Sequence, residues 1–280
     1  MVGVLNTLIA IAFALASAIT VAWGTVVRHR IARDAPGHVM ATAIRRPLWW
    51  VGTFAALAAY GLQVIALGFG TLLVVQPILV LSLMFTLPLA SWYARRPMPF
   101  HEVFWSLALT IAVGVLVVYG RPTAGDPLPA WSQWWPALLF GVVLMSALGA
   151  VAWRCPQHRA LALGTTCGVL YGYVALLSKA VMDTYLHLGL GELLSSWTLY
   201  TLIGLAGLGT IVQQYSFQAG PLSSSLPAMT IFEPIVAFGL GYVVLGEHFQ
   251  VETAAGWVLM AGALALMVTS TIVLSRMPVK

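Results

Sequence analysis

The sequence predicts an all-α integral membrane protein, with about nine transmembrane helices arranged as two inverted four-helix repeats joined by a linker helix. Three observations predict it. First, 60% of the 280 residues are hydrophobic and only 8% are charged, against about 25% in a soluble domain. So few charges cannot solvate a 30.0 kDa surface whose mean hydropathy is +0.94. Second, nine segments stay apolar for about 20 residues, the length that crosses a bilayer as a helix, and none alternates like an outer-membrane strand. Third, the chain resembles itself weakly at an offset of 150 residues. Soluble enzymes, nucleic-acid binders and disordered regulators are excluded together. The pI near 9.5 reports orientation before it reports a polyanionic partner.

The expected spans, in order, are 2–27, 48–69, 71–94, 101–120, 136–153, 161–182, 194–217, 222–245 and 252–274. The first is apolar from Val2 without a basic leader. Although Ala14-Leu15-Ala16 looks like a cleavage site, the long run followed by arginines reads as a retained helix. Residues 28–47 hold five arginines and the turn-prone Ala35-Pro36-Gly37. Residues 121–135 are rich in Pro and Trp, and Trp131, Trp134 and Trp135 are expected at the headgroup level. Pro and Gly mark connections, and no segment is long enough for an attached soluble domain. Cys155 lies in a polar connection and Cys167 in an apolar helix, so neither a disulfide nor a metal spacing is expected.

Assigning the connections to alternating sides sorts the charges. One side receives Arg28, Arg30, Arg33, Arg45, Arg46, Arg95, Arg96, Arg154, Arg159, Arg276 and Lys280, with Asp34 and Glu102. The other receives Arg121 with Asp126, Asp183, Glu192, Glu247 and Glu252. Eleven basic residues against one is a strong positive-inside signal. It places the N-terminus outside and the C-terminus in the cytoplasm. Eleven Arg against two Lys fits a GC-rich bacterial genome, hence a multi-pass protein of the bacterial plasma (inner) membrane.

The offset of 150 aligns Ala10, Ala14, Ala18 and Ala22 with Ala160, Gly164, Gly168 and Gly172. It also aligns Gln63 with Gln213, Gly70 with Gly220, Pro77 with Pro227 and Glu102 with Glu252. Residues 1–120 form the first repeat, 121–160 the linker helix with its loops, and 161–280 the second repeat. One linker span between two four-helix units turns the second upside down. Inverted repeats are a signature of secondary transporters, with the site near the midplane. Small residues at every fourth position line one helix face and let another backbone approach. Such ridges serve static packing or sliding surfaces.

Two charges then remain within the spans. Glu233 lies about 16 Å into its helix at 1.5 Å per residue, where a bare carboxylate costs several kcal/mol. It must face the bundle, find a partner or stay protonated. Pro234 frees the Thr230 carbonyl, so carboxylate, carbonyl and Thr230 hydroxyl are expected to cluster, for proton exchange, for cation coordination or as a neutral packing element. Lys179 either snorkels to the headgroups or faces an anion or Glu233 at the external mouth. Gln63, Gln76, Gln213 and Gln214 should point inward. With Trp23, Tyr171, Tyr173 and Tyr215 they have the chemistry of an aromatic, hydrogen-bonding pocket. Pro77, Pro227 and Pro234 are expected helix breaks. No catalytic set, metal site or cofactor is predicted, and no phosphate-binding glycine loop points to an ATP-driven pump. The chain is therefore read as a non-enzyme driven by an ion or substrate gradient.

Residues 67–70 (Leu-Gly-Phe-Gly) through Gln76-Pro77, and residues 219–222 through Phe232-Glu233-Pro234 with Leu245-Gly246-Glu247, resemble the drug/metabolite transporter superfamily, in its EamA-like and NIPA-type branches. The basic loop after the first helix and Pro47-Leu48-Trp49-Trp50 resemble the NIPA-type magnesium transporters. The resemblance implies paired inverted repeats around an alternately exposed cavity. Two departures make any ion site asymmetric: Leu83 stands where the second repeat has Glu233, and Arg95-Arg96-Pro97 replaces Leu-Gly-Glu. A Mg²⁺ path wants several oxygen ligands, and Glu233 is the one deep carboxylate. The expected function is thus permeation of a small organic metabolite or drug-like solute, proton-coupled through Glu233. Divalent-cation transport and flipping of a lipid-linked sugar or phospholipid are the alternatives. Expected partners are the small-molecule or ion substrate, membrane lipid and a second copy in a homodimer, without nucleic acid.

Overall fold

A computed structural model describes residues 2–33, 47–93, 98–220 and 222–277. The Ala35-Pro36-Gly37 turn, Arg45, Arg46 and the Arg95-Arg96-Pro97 connection lie outside them. The chain is an all-α, multi-pass membrane protein. Among the described residues eight helices are long and apolar enough to cross a bilayer.

Helix α1 spans Val2–Arg33 and α2 Pro47–Phe69. Helix α3, Leu72–Val80, tightens at Leu81, whose N–H reaches Ile78 instead of Pro77. It continues as α4, Ser82–Tyr93. Helix α5, Phe100–Gly114, widens into a π-turn, Val115–Tyr119. Then follow α6, Trp131–Arg154, and α7, Arg159–Ser195, which is kinked at Gly189. After these come α8, Trp197–Gln218, α9, Leu222–Leu240, a second π-turn, Gly241–Leu245, and α10, Ala254–Arg276.

Four expectations need correction. Helix α8 is formed over 22 residues, yet it is not among the eight apolar candidates. Gln213, Gln214, Gln218 and three threonines lower its hydropathy, so length predicts a span where composition alone does not. Helix α7 runs thirteen residues past its expected end at Met182, which carries Asp183 from an external loop into a buried helical turn. Pro227 and Pro234 do not break α9, which passes through both. A proline removes one donor, and neighbouring elements hold the remaining turns in place. Trp134 is also not a headgroup anchor: it is buried, packed edge-on against Trp197 at 5.0 Å.

Helix α7 is the axis of the bundle, packed against α2, α6, α8 and α9. Its small residues make this close approach possible. A Cβ at Gly164 would come within 2.7 Å of the Ser225 carbonyl, and one at Gly168 within 2.8 Å of the Met229 carbonyl. Ala10, Ala14, Ala18 and Ala22 of α1 are fully buried. Helix α5 pairs with α10. The first turns of α1 and the last turns of α7 line one cavity, so these two helices run in opposite directions. At that end Pro122–Thr123 (β1) and His248–Phe249 (β2) form a two-residue antiparallel ladder.

Candidate functional site

The cavity opens at the end of the bundle that holds the first turns of α1 and the β1–β2 ladder. Its volume is about 870 Å³, and it is walled by the first turns of α1, the α2–α3 junction, residues 121–127 and the turn after α9. Helix α7 supplies its most polar lining: Lys179, Asp183 and His187, spaced four apart and hence on one face. Lys179 Nζ sits 2.8 Å from Asp183 Oδ1, with side chains 12% and 4% exposed. His187 Nδ1 lies 2.8 Å from the Asp183 carbonyl. Just below, the Tyr60 and Ser178 hydroxyls meet at 2.8 Å and tie α2 to α7. Gly68 admits Met182 so closely that a Cβ there would lie 2.7 Å from it. These contacts close the floor.

Glu247 reaches this site from the turn after α9. Its side chain is 1% exposed, and its two oxygens accept the N–H groups of Leu72 at 3.0 Å and Leu73 at 3.2 Å. Thr71 Oγ1 accepts the next, from Val74. The free N–H groups that open α3 are therefore satisfied, two of them by a carboxylate complementing the positive end of the helix dipole. Burial pushes Glu247 up to about 7, against the opposing pull of those amides and of Lys179.

The turn carrying Glu247 is stitched to the segment after α5. Asp126 N–H donates to the Leu245 carbonyl and Gln250 N–H to that of Gly120. Thr123 Oγ1 donates to the His248 carbonyl at 3.0 Å. Gly246 adopts φ 71°, and Arg121 takes φ 41° despite its side chain, a conformation held by the ladder on either side. A strap thus crosses the cavity mouth.

Of the site residues expected from sequence, Lys179 alone lines this cavity, and its partner is Asp183 rather than Glu233. Glu233 is half-buried on α9, beside Cys167 and Tyr171 of α7. Tyr171 donates to Gln213 Oε1 at 3.3 Å and Gln213 Nε2 to Met229 Sδ at 3.9 Å. These residues make a separate polar cluster between α7, α8 and α9. The expected cluster with Thr230 does not form, because that hydroxyl donates to Leu226 within its own helix. Gln76 is buried, with Nε2 unpartnered among the described residues, and Gln63 is half-buried. Gln214 and Tyr215 are exposed, as is Trp23, so these three point outward where an inward orientation was expected. Tyr173 is buried but spends its hydroxyl on the Ala137 carbonyl of α6.

Asp183 and Glu247 are the residues that sequence reasoning placed outside the membrane. The signal for Asp183 was its i, i+4 spacing from Lys179. For Glu247 it was the Leu-Gly-Glu turn itself.

The chain is 52% identical over 278 residues to an uncharacterized protein of Corynebacterium glutamicum, with 97% of this chain and 96% of the relative covered. No family model and no solved structure matches it.

Proposed function

The chain belongs to the same protein family as that Corynebacterium glutamicum relative, and we propose that it is a secondary transporter moving a small organic solute by alternating access. The observation that carries this reading is the cavity of about 870 Å³ that enters from one end and stops on buried, charged groups. Its volume is that of a small-molecule site, about 300–1,000 Å³. Ionisable residues at membrane depth mark substrate or ion pathways by default. The antiparallel courses of α1 and α7 favour two inverted repeats with α8 as the ninth span, as in the drug/metabolite transporters that the motifs resemble. The basic side is then cytoplasmic, and the cavity faces outward.

In this reading Glu233 is the proton-responsive group, acting from the polar cluster between α7, α8 and α9 rather than from the cavity wall. Magnesium transport is the less favoured alternative, because among the described residues no three or more His, Cys, Asp or Glu are placed to hold one metal ion and Mg²⁺ prefers several oxygen ligands. The test is a proteoliposome flux screen of organic solutes, Mg²⁺ and a lipid-linked sugar, comparing wild type with Glu233→Gln. An organic solute is expected to move down its gradient in wild type, with a pH dependence the variant loses. Flux of Mg²⁺ or of the lipid alone would overturn the organic-solute reading. Unchanged flux and pH dependence in the variant would remove Glu233 from the mechanism.

A further inference from the structure

The floor of the cavity holds two carboxyl groups, Asp183 and Glu247, against one lysine, Lys179, with the His187 imidazole beside Asp183. Lys179 contributes one cation, while Asp183 and Glu247 contribute two carboxylates when ionised. Asp183 and Glu247 are close enough to repel each other, and Lys179 attracts both. Arg121 and Asp126 also line the cavity but sit exposed at its mouth, where they offset one another in water.

Partners are distributed unevenly over the two acids. Glu247 accepts one amide of α3 on each of its two oxygens. Asp183 gives Oδ1 to Lys179, while Oδ2 is buried and has no hydrogen-bond partner among the described residues. Asp183 as a whole is 3% exposed and lines the cavity. A buried carboxylate oxygen without a donor is destabilised, and that cost is removed by a ligand that brings a positively charged N–H.

We propose that Asp183 Oδ2 is the binding point for the ammonium group of a small amine cargo. Lys179 stays on Oδ1, and the ammonium then stands between Asp183 and Glu247, opposite in sign to each carboxylate when it is ionised. The four-residue spacing on a rigid helix fixes Asp183 for this contact. Lys179 acts as a positioning residue, because it holds the carboxylate in one rotamer. The inference rests on the transporter reading for the word cargo, but the binding site stands or falls by itself.

Binding is measured on the purified full-length protein in detergent, by calorimetry and thermal shift. Ethylamine, butylamine and phenethylamine are each compared with the alcohol of the same skeleton, and NaCl and MgCl₂ are run as separate arms. Wild type is expected to bind at least one amine at least tenfold more tightly than its alcohol. Asp183→Asn is expected to abolish the preference. Because a single change leaves Lys179 unpaired, the double variant Lys179→Gln/Asp183→Asn provides a second, charge-neutral background with the same expected loss. Equal binding of amine and alcohol, binding of no amine, an unchanged preference in the variants, or an Asp183-dependent shift with Na⁺ or Mg²⁺ but not with amines would each overturn the proposal. Amine binding without flux in proteoliposomes would instead overturn the transporter reading and leave the site intact.

Discussion

The Ser17 hydroxyl donates to the Ala59 carbonyl at 2.7 Å in the buried seam between α1 and α2. The Cys167 thiol makes the equivalent contact 150 residues later, reaching the Gly209 carbonyl of α8 at 3.7 Å. Gly70 and Ala10 form a second such pair: a Cβ at Gly70 would lie 2.6 Å from that of Ala10, and one at Gly220 would lie 2.9 Å from that of Ala160. Sulfur is larger than oxygen, which accounts for the longer thiol contact. These are the contacts that the proposed repeat requires.

The paired glycines give a direct test of that equivalence. Gly70→Ala and Gly220→Ala are each expected to destabilise the protein by about 1–3 kcal/mol through overpacking. Ala10→Gly should rescue the first and Ala160→Gly the second, each with a coupling of about 0.5–3 kcal/mol. Thermal midpoints of the four single and two double variants in detergent measure this. Crossed combinations such as Gly70→Ala with Ala160→Gly should show no coupling.

Glu247 joins the turn after α9 to the start of α3, so its loss is felt in both halves. Glu247→Ala removes the acceptor for two buried amides, and hydrogen bonds to a charged group contribute about 1.5–3 kcal/mol each. A marked fall in melting temperature is expected. Glu247→Gln, which keeps one accepting oxygen, should fall less. A melt of Glu247→Ala that matches wild type would show that the cap does not stabilise the fold.

Stability should also depend on pH through the same residue. Burial raises Glu247 from its ordinary 4.5 to about 7, so the folded state keeps a proton that the unfolded chain has lost. Stability then falls as pH rises from about 4.5 towards 7 and levels off above it. The groups facing Glu247 are Lys179 and Asp183 of α7 and the amides of Leu72 and Leu73. Melting temperatures of wild type and Glu247→Gln from pH 4.5 to 8 isolate the effect. The difference between them should shrink across that window as wild type loses its advantage, and a constant difference would contradict it.

Much of this architecture was legible in the sequence because it rests on local chemistry. Apolar length located the helices, and the Ala and Gly ridges located the close-packed faces of α1 and α7. Partner choice was not legible, since it depends on tertiary placement. Lys179 and Glu233 stood out as the charges within apolar runs, yet they lie at different depths: Lys179 lines the cavity, while Glu233 sits beside Cys167 and Tyr171, two to three turns nearer the start of α7. Asp183 was hidden because hydropathy falls at Met182 while the helix continues. Glu247 was hidden because its role is set by a helix N-terminus 175 residues earlier in the chain.

The strap supplies the last prediction, because it is held over the mouth mainly by backbone contacts. A Cβ on Gly125 would fall 1.8 Å from the Leu245 carbonyl oxygen, a distance no side-chain adjustment relieves. Gly125→Ala must therefore detach residues 121–127 from the turn that carries Glu247. The contact falls on the last residue of the second π-turn, beyond the end of α9, so the variant should keep a folded bundle with a melting temperature within a few degrees of wild type. A cysteine introduced at Thr123, in a background without Cys155 and Cys167, should then react with a membrane-impermeant maleimide several-fold faster in Gly125→Ala. In intact cells the same label should reach that position from outside, as the charge asymmetry requires. Labelling only after the cells are opened would reverse the orientation, and an unchanged rate would show that the strap does not need this contact.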